Sequence, residues 1–361
     1  MRNRPDAQAN PGGDTVLMTR LREELIRLGH HVEIDLTLSA NVGAFDALHL
    51  FNLTLPQLLG PLSEDALSKG VPFLIHALLE DWPRYLNRSQ AAALVLERYV
   101  ASGQPRALLE DMLALTRDCP AAEIPACPGA AGAAAIVCTG SQEVEAVGWA
   151  VPGAKSVVVP LGSDLLNATQ PGAETASEGD DPRAFRVAFG LEDFVLCVGR
   201  LEYRKNQLML LAAMELDDLP LVFADGGFAY AAEYADACRK FKRKGRTVFT
   251  GRLSPALLRS AYRGARVHCL PSWFELPGLV SLEAALWTPQ VVAGAWGTLE
   301  DYLGGHCRFV EPDDVPGLRR AVLEAWNAPP DPGLARAAAA FTWERTARAM
   351  VAIYLEMANR R

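Results

Sequence analysis

The strongest constraint on the fold is a regular alternation between short apolar runs and helical segments. In the second half of the chain, longer stretches separate five apolar runs of strand length: FVLCVGRL, LPLVFADGG, RTVFTGRL, ARVHCLPSW and PQVVAGAWG. Strands that alternate with helices form parallel sheets with helices on both faces. We therefore predict a doubly wound α/β domain that begins near residue 186.

The first half of the chain repeats this alternation. Strands are expected within HVEID, FDALHLFNL, VPFLIHALL, AAIVCTGS and KSVVVPLGSD, and residues 89–116 are expected to be helical. The leucines that follow NPGG fall on one helical stripe, which Asp14 is predicted to cap and after which Gly29 suits the C′ position. The pattern predicts a second α/β domain.

Length and composition predict how the chain is divided into domains. At 361 residues it is too long for one ordinary hydrophobic core, so two domains are expected. Residues 166–185 are polar and rich in Gly, Pro, Ser and Thr, which is typical of a linker. The predicted division is therefore 1–165 for the first domain, 186–340 for the second and 341–361 for a C-terminal helix.

Charge and cysteine usage exclude several classes of function. The net charge of −8 and the isoelectric point near 5.4 leave no broad basic surface, so nucleic acid is not expected as a partner. The seven cysteines lack zinc spacing, and free thiols favour a reducing cytoplasm. No signal peptide is recognised, and no apolar run reaches the about 18 residues that a membrane span needs.

Two cations follow the first strand of the second domain. In VGRLEYRKN, Gly199 ends the strand, and Arg200 and Lys205 stand five residues apart at the edge where open α/β sheets bind ligands. The Arg fork and the mobile Lys charge both suit phosphate. A solvated basic loop is the alternative, but a matching acidic segment later in the chain favours binding.

That acidic segment is FELPGLVSLE, in which Glu275 and Glu283 lie on an otherwise apolar stretch. Carboxylates there cost free energy unless they are partnered. Pro277 and Gly278 suit a turn into a helix whose first amides, at 278–280, would point at an anion. Because carboxylates repel phosphate, we predict a sugar near Glu275, phosphates at the helix start and a ribose near Glu283. The preference of acids for a helix start would explain only one glutamate.

Together these motifs resemble the retaining GT-B glycosyltransferases of family 4, also called group 1. The resemblance is carried by Glu-x7-Glu, Gly-Arg-x4-Lys-Asn, VVVPLGSD and NPGGDTV, and it is strongest from about 195 to 310. It implies two Rossmann-like domains that face a central cleft, with the donor mainly on the second and the acceptor mainly on the first. It also implies that the last helix packs back on the first domain. The family's first strand is expected to be mostly missing, because little more than MRNRPDAQ precedes NPGG.

The resemblance assigns roles to individual residues. Arg200 and Lys205 would clamp the donor diphosphate, while Leu253, within TGRLS, would face the nucleobase. Gly12 and Gly13 would permit close approach to the phosphate or the transferred sugar. The catalytic candidates are Glu275, Arg200, Lys205 and His76. The donor-binding candidates are Gly12, Gly13, Gly199, Arg200, Lys205, Leu253, Glu275, Pro277, Gly278, Leu279, Val280 and Glu283.

Two histidines have competing interpretations. His76 lies near where the family often has a histidine beside the reacting sugar, and a buried structural role is an equal alternative. For His49 a packed or capping role is favoured. Asn52 could reach the acceptor side.

The implied activity is transfer of a sugar from a UDP-sugar or GDP-sugar to a glycan or lipid-linked acceptor, with retention of configuration. No Asp-x-Asp occurs, so no metal or other cofactor is expected, and local cations and helix amides would neutralise the leaving diphosphate. A sugar-nucleotide epimerase on the same fold and a non-catalytic nucleotide-sugar-binding or assembly protein stay open as alternative functions.

The basic run RKFKRKGR, at 239–246, is expected to be a solvated helix face, with contact to anionic lipid at the inner membrane face as the alternative. The sequence does not indicate the oligomeric state.

Overall fold

The computed structural model describes residues 1–9, 12–103, 105–123, 127–164, 181–226 and 231–358. The chain forms two compact units. The first comprises Met1–Asp81, Glu123–Asp164 and Phe341–Arg361, and the second comprises Trp82–Ala122 and Leu165–Ala340. Each unit has its own parallel sheet with helices, which confirms the predicted α/β class.

Four parallel strands form the sheet of the first unit: β1 (Leu48–Phe51), β2 (Phe73–His76), β3 (Ala135–Cys138) and β4 (Ser156–Val158). They lie side by side in chain order. The first three are buried along their whole length, as is usual for apolar strands covered on both faces. The predicted strands in this half are therefore confirmed, apart from HVEID.

The first residues of the chain lie beside β1. The amide of Arg2 donates to the carbonyl of His49 at 2.8 Å, and Arg2 forms an isolated parallel bridge with Leu50. HVEID contains no strand, so that prediction is wrong; its Asp35 amide donates to the carbonyl of Met1. At the position next to β1 the described chain thus contributes one bridging residue rather than a strand.

The helices of the first unit are α1 (Gly13–Arg27), α2 (Pro56–Ser68), α5 (Ser141–Ala150) and α14 (Trp343–Ala358). The leucine stripe of α1 is buried, and α1 packs against α14. Gly29 has a φ of +90° just after α1, which confirms its predicted C′ position. Asp14 is not the cap: Gly12 occupies that position, and the Asp14 carboxylate accepts hydrogen bonds from Arg4 and Asn3.

Six parallel strands form the sheet of the second unit: β5 (Val195–Val198), β6 (Leu221–Ala224), β7 (Thr247–Phe249), β8 (Val267–Leu270), β9 (Val291–Gly294) and β10 (Arg308–Val310). Their order is β10-β9-β8-β5-β6-β7. The five predicted strands are confirmed, whereas the short β10 was not predicted. The strand order reverses between β5 and β8, and ligands of doubly wound sheets bind at the carboxyl ends of strands at this switch.

Eight helices that follow residue 181 surround this sheet in the described part of the unit. They are α6 (Ala184–Phe189), α7 (Gln207–Ala213), α8 (Ala232–Lys240), α9 (Pro255–Gly264), α10 (Leu279–Ala285), α11 (Glu300–Leu303), α12 (Val315–Asn327) and α13 (Leu334–Ala339). Because α6 begins at Ala184, the predicted linker ends slightly earlier than expected. Residues 166–180 of that linker lie outside the described part.

Two further helices of the second unit come from an earlier part of the chain. These are α3 (Trp82–Ser102) and α4 (Arg106–Leu115), and with residues 116–122 we call them the helical arm. The sequence division placed this segment in the first domain and predicted a helix over 89–116. The structure corrects both points. Apolar residues of the arm join the core cluster that includes β5, α7 and α8, and the two helices separate near Gly103, which has a φ of +60°.

All seven cysteines are free, and six of them are buried. Among the described residues no helix is long and apolar enough to cross a membrane.

Candidate functional site

The turn after β5 presents the predicted cations. Gly199 directly follows β5 and has a φ of +149°, a conformation that favours glycine. A short 3₁₀ turn, Tyr203–Lys205, follows, and Asn206 adopts a left-handed conformation. The side-chain amide of Asn206 donates through Nδ2 to the carbonyls of Pro271 and Pro312, at 3.0 and 2.7 Å. The turn that carries Lys205 is therefore tied to two neighbouring loops.

The loop after β8 places Glu275 against the loop after β9. The Glu275 amide donates to the Trp296 carbonyl at 3.3 Å, and the Thr298 amide donates to the Glu275 carbonyl at 2.9 Å. Gly297 lies between these contacts, and a Cβ at Gly297 would be 2.2 Å from the Glu275 carbonyl oxygen. Only glycine permits this close approach.

Glu275 lies in a strongly positive environment. Its Oε1 is 2.5 Å from Nζ of Lys205 and 3.5 Å from Nη1 of Arg204, and the Glu275 and Lys205 side chains are each only 12% exposed. Burial alone would raise the pKa of Glu275, but the charges of Lys205 and Arg204 and its hydrogen bonds lower that pKa to about 2. The carboxylate is therefore ionised at neutral pH.

Arg204 was missed in the sequence analysis, although it stands within VGRLEYRKN. It is fixed to the same loop twice, because its Nη1 donates to the carbonyl of Phe274 at 3.0 Å and its own carbonyl accepts from the amide of Trp273. The available signal was its place beside Lys205 in the same turn. The conformation of the turn brings both Arg204 and Lys205 to Glu275, which the spacing of residues in the sequence does not reveal.

Arg200 lies at the same edge of the sheet. Its Nε is 3.5 Å from Oε2 of Glu202, and its side chain is about one-third exposed. Its backbone carbonyl accepts a hydrogen bond from the side-chain amide of Gln207 at 2.8 Å. A Cβ at Gly226, just beyond β6, would lie 3.9 Å from Arg200 Cγ. The Arg200 side chain thus extends along the carboxyl ends of β5 and β6.

A tyrosine forms a hydrogen bond with the second glutamate. Glu283 lies within α10, and the Tyr262 hydroxyl donates to its Oε2 at 3.3 Å. The same hydroxyl is 3.2 Å from the carbonyl of Val280. Burial raises the pKa of Tyr262 well above its usual value, so the hydroxyl stays protonated and can donate. Sequence analysis missed Tyr262, because nothing in the local pattern of α9 marks it.

The start of α10 matches the predicted turn. Gly278 has a φ of +84° and precedes the helix, and a Cβ there would be 3.2 Å from Glu275 Cγ. Pro277 is buried, and Leu279 and Val280 are half-buried. Leu253 lies elsewhere, in the loop after β7, where its side chain packs partly buried against the core that contains Phe194 and Tyr262.

The remaining candidates belong to the first unit. Gly12 precedes α1, where a Cβ would be 2.9 Å from the Asp14 carboxylate, whereas a Cβ at Gly13 would meet nothing within 4 Å. His76 ends β2 and is fully buried. Asn52 follows β1 with a φ of +81°, and its Oδ1 accepts from the amide of Thr54.

His76 is part of a buried hydrogen-bonded chain. Its Nδ1 is 3.0 Å from Nε2 of His49, whose Nδ1 is 2.6 Å from the Tyr354 hydroxyl. Burial lowers the pKa of His76 to about 3, so it is neutral at physiological pH. This geometry favours the structural interpretation for His76 and His49 over contact with a substrate.

The basic run RKFKRKGR is largely compensated within the second unit. Three of its cations pair with carboxylates: Arg239 with Asp225, Lys240 with Asp236 and Lys244 with Asp218. Arg243 donates to backbone carbonyls between 214 and 219, and burial lowers its pKa to about 10. Because α8 ends at Lys240, the predicted helix face is wrong for 241–246. The compensation weakens the case for a lipid contact.

Sequence comparison gives matches to one family. The family described as glycosyl transferases group 1 matches residues 192–328. A D-inositol 3-phosphate glycosyltransferase of Mycobacterium avium is 33% identical over 198 residues, which cover 48% of this chain and 45% of that protein. An uncharacterized glycosyltransferase of Methanocaldococcus jannaschii is 35% identical over 125 residues, or 32% of each protein. The chain thus spans less than half the length of these curated relatives.

Comparison of structures establishes the fold. A sucrose-phosphate synthase from Thermosynechococcus elongatus matches with a TM-score of 0.62 and 20% identity, over 97% of this chain and 94% of the other. A UDP-forming α,α-trehalose-phosphate synthase from Burkholderia xenovorans matches with a TM-score of 0.58 and 12% identity, over 94% and 77%. The predicted GT-B fold is confirmed.

Proposed function

We propose that the protein transfers a sugar from a nucleotide-diphosphate-sugar to an acceptor, since residues 192–328 match the family described as glycosyl transferases group 1. One observation carries the proposal. Lys205, Arg204 and an ionised Glu275 converge at the carboxyl edge of β5 and β8, inside the matched segment. That edge is the switch point at which doubly wound sheets bind nucleotides.

In this proposal the cations bind the diphosphate. Arg200 offers a planar fork that suits phosphate oxygens, and the Lys205 ammonium has three donors. Lys205 can therefore keep one hydrogen bond to Glu275 and give another to a phosphate. The amides at 278–280 supply further donors, with Gly199 and Pro277 shaping the two turns. Leu253 is proposed beside the nucleobase.

The two glutamates are proposed to bind hydroxyls. Glu275 stays ionised and repels phosphate, so its acceptor oxygens suit the transferred sugar. Glu283 is proposed to accept from the ribose hydroxyls, with Tyr262 fixing its orientation. The arrangement separates hydroxyl recognition from phosphate recognition along one edge of the sheet.

We further propose a retaining, metal-independent transfer. The donor C1–phosphate oxygen bond breaks, the acceptor oxygen bonds to C1 on the same face, and the leaving diphosphate takes the acceptor proton. Arg200, Arg204 and Lys205 then compensate the charge that develops on the diphosphate. Neither a covalent nucleophile nor His76 is required, and the burial of His76 favours a scheme without it.

A phosphorylated polyol or sugar is the acceptor class that we propose first. The Mycobacterium avium relative is named for inositol 3-phosphate, and the two fold neighbours are named as sucrose-phosphate and trehalose-phosphate synthases. A glycan or lipid-linked acceptor is the second candidate, which the sequence analysis raised.

A transfer assay with Glu275→Gln tests the proposal. UDP-glucose, GDP-mannose and ADP-glucose would each be combined with inositol phosphates, hexose 6-phosphates, their unphosphorylated forms and lipid-linked glycans. We expect one donor to be consumed only with an acceptor, and turnover to fall at least about 100-fold in Glu275→Gln, because an interaction with the reacting sugar is lost. A variant that keeps the wild-type kcat would contradict the role of Glu275.

The two alternatives give different products. An epimerase would convert the nucleotide-sugar without any acceptor. A non-catalytic binding protein would bind a nucleotide-sugar and release no nucleoside diphosphate.

A further inference from the structure

The helical arm lies against the loops that carry Glu275. Tyr85 of α3 stacks on Phe274, with ring centroids 6.1 Å apart and an interplanar angle of 21°. One residue earlier, the Arg84 guanidinium lies 4.0 Å from the ring centroid of Trp296. These contacts join a helix from the first half of the chain to the residues next to Glu275.

Arg88, one turn further along α3, lies over two buried tryptophans. Its guanidinium carbon is 5.0 Å from the ring centroid of Trp296 and 5.8 Å from that of Trp273. The two indole rings meet edge to face with centroids 5.7 Å apart. A cation within about 6 Å of an indole face is attracted to it, and the attraction grows when the pair is shielded from water.

A buried carboxylate holds Arg88 in this position. The Asp313 side chain is 2% exposed, and its Oδ2 lies 2.5 Å from Nη2 of Arg88 and 3.2 Å from Nε of Arg117, also on the arm. A carboxylate so far from water needs a close cation, so the pair resists separation. The carbonyl of the preceding residue, Pro312, accepts the hydrogen bond from Asn206.

The two tryptophans are joined through the backbone to the proposed active site. The Trp296 carbonyl accepts from the Glu275 amide, and the Trp273 amide donates to the Arg204 carbonyl. A shift of either indole ring would therefore move the backbone that positions Glu275 and Arg204.

We propose that Arg88 is a positioning residue for the transferred sugar, acting through Trp273 and Trp296 and itself held by Asp313. The inference rests on the proposed function, because it assigns a consequence to the orientation of Glu275. It predicts an unequal effect: loss of Arg88 weakens recognition of the sugar through Glu275 more than it weakens recognition of the nucleoside diphosphate.

The test compares Arg88→Met, Arg88→Lys and Arg117→Met in the full chain. Arg117 shares Asp313 with Arg88 and is half exposed, so Arg117→Met is the matched control. Each protein would be titrated with UDP, GDP and ADP and with the corresponding sugar nucleotides, and kcat and KM would be measured for the donor that is transferred. Thermal unfolding of each variant would be recorded in parallel.

For Arg88→Met we expect the affinity for the nucleoside diphosphate to fall less than the affinity for the sugar nucleotide. The additional affinity contributed by the sugar should be lost, and kcat should fall at least tenfold. Arg88→Lys should recover part of kcat, because it restores the cation over the rings. Arg117→Met should keep kcat within twofold.

Further outcomes separate this proposal from a general structural role. If Asp313 acts through Arg88, adding Asp313→Asn to Arg88→Met should lower kcat no further. A parallel fall of nucleotide affinity, kcat and melting temperature would overturn the proposal, and so would an unchanged sugar contribution. If the wild type binds sugar nucleotides but transfers nothing, the proposed function fails, while the sugar contribution to binding still decides the role of Arg88.

Discussion

Lys205 and Glu275 form an ion pair that is almost enclosed, with 2.5 Å between Nζ and Oε1. The pair joins the turn after β5 to the loop after β8, and these strands are neighbours in the sheet. The phosphates of a donor at this edge would share Lys205 with Glu275. Under the proposed function, the stability of the second unit and its affinity for the donor therefore depend on the same cation.

Replacing Lys205 should destabilise the fold. Lys205→Met leaves the buried Glu275 with Arg204 as its main cation, and we expect the free energy of unfolding to fall by about 2–3 kcal/mol, because a buried charge loses its closest partner. Urea denaturation measures this. Lys244, which pairs with Asp218 at an exposed site, is the control, and Lys244→Met should cost less than about 1 kcal/mol. Equal effects of the two substitutions would contradict the importance of burial.

Gly297 should tolerate no side chain. A Cβ there would overlap the carbonyl oxygen of Glu275, and the φ of +118° is unfavourable for other residues. We expect Gly297→Ala to lower the free energy of unfolding by about 3 kcal/mol or more through overpacking and backbone strain. Gly305, where a Cβ meets nothing within 4 Å, is the matched control. An unchanged denaturation midpoint for Gly297→Ala would disprove the described packing of the two loops.

Acid should destabilise the protein in two stages. Burial lowers the pKa of His76 and His268 to about 3. Below about pH 6.5 these two histidines are therefore protonated in the unfolded chain but stay neutral in the folded chain. Stability is therefore full above that pH and falls as pH drops, by up to about 1.4 kcal/mol per pH unit for each histidine. Glu275, with its lowered pKa, adds a second loss as pH falls from about 4.5 to 2.

Denaturation midpoints between pH 8 and pH 5 measure the first stage. His268→Asn should reduce the slope. A slope that is the same in wild type and His268→Asn would mean that His268 is not buried in the neutral form.

Tyr262 should matter for nucleotide affinity. Its hydroxyl orients Glu283, so Tyr262→Phe should weaken binding of the nucleoside diphosphate by about 1 kcal/mol, near the typical worth of one hydrogen bond. Tyr354→Phe removes a buried tyrosine hydroxyl from the first unit and should leave this affinity unchanged. Calorimetry distinguishes them, and equal affinities for wild type and Tyr262→Phe would remove Tyr262 from the proposed ribose site.

Local patterns predicted much of the fold. The apolar runs marked nine of the ten described strands, and Gly29 was correctly placed after α1. The helical arm was assigned to the wrong unit, because an amphipathic pattern reveals that a helix has a buried face but not which core receives it. Asp14 illustrates a different limit, since its carboxylate binds Arg4 and Asn3 rather than the helix start.

The candidate site was predictable where its residues share a motif. Lys205 and Glu275 were each found as charges at a strand end, but their mutual ion pair and the participation of Arg204 depend on the path of two turns. Tyr262 reaches Glu283 from another helix, which no local pattern reveals. The assigned roles of Leu253, Gly12 and Gly13 stay predictions.

Calorimetric titration of UDP, GDP and ADP into the wild type and Glu283→Ala tests the central claim most directly. The account predicts that one nucleotide binds with a micromolar Kd, and that the variant binds it at least tenfold more weakly, a loss of about 1.4 kcal/mol. Binding of none of the three, or equal binding by wild type and variant, would contradict a nucleotide-sugar site at this edge of the second sheet.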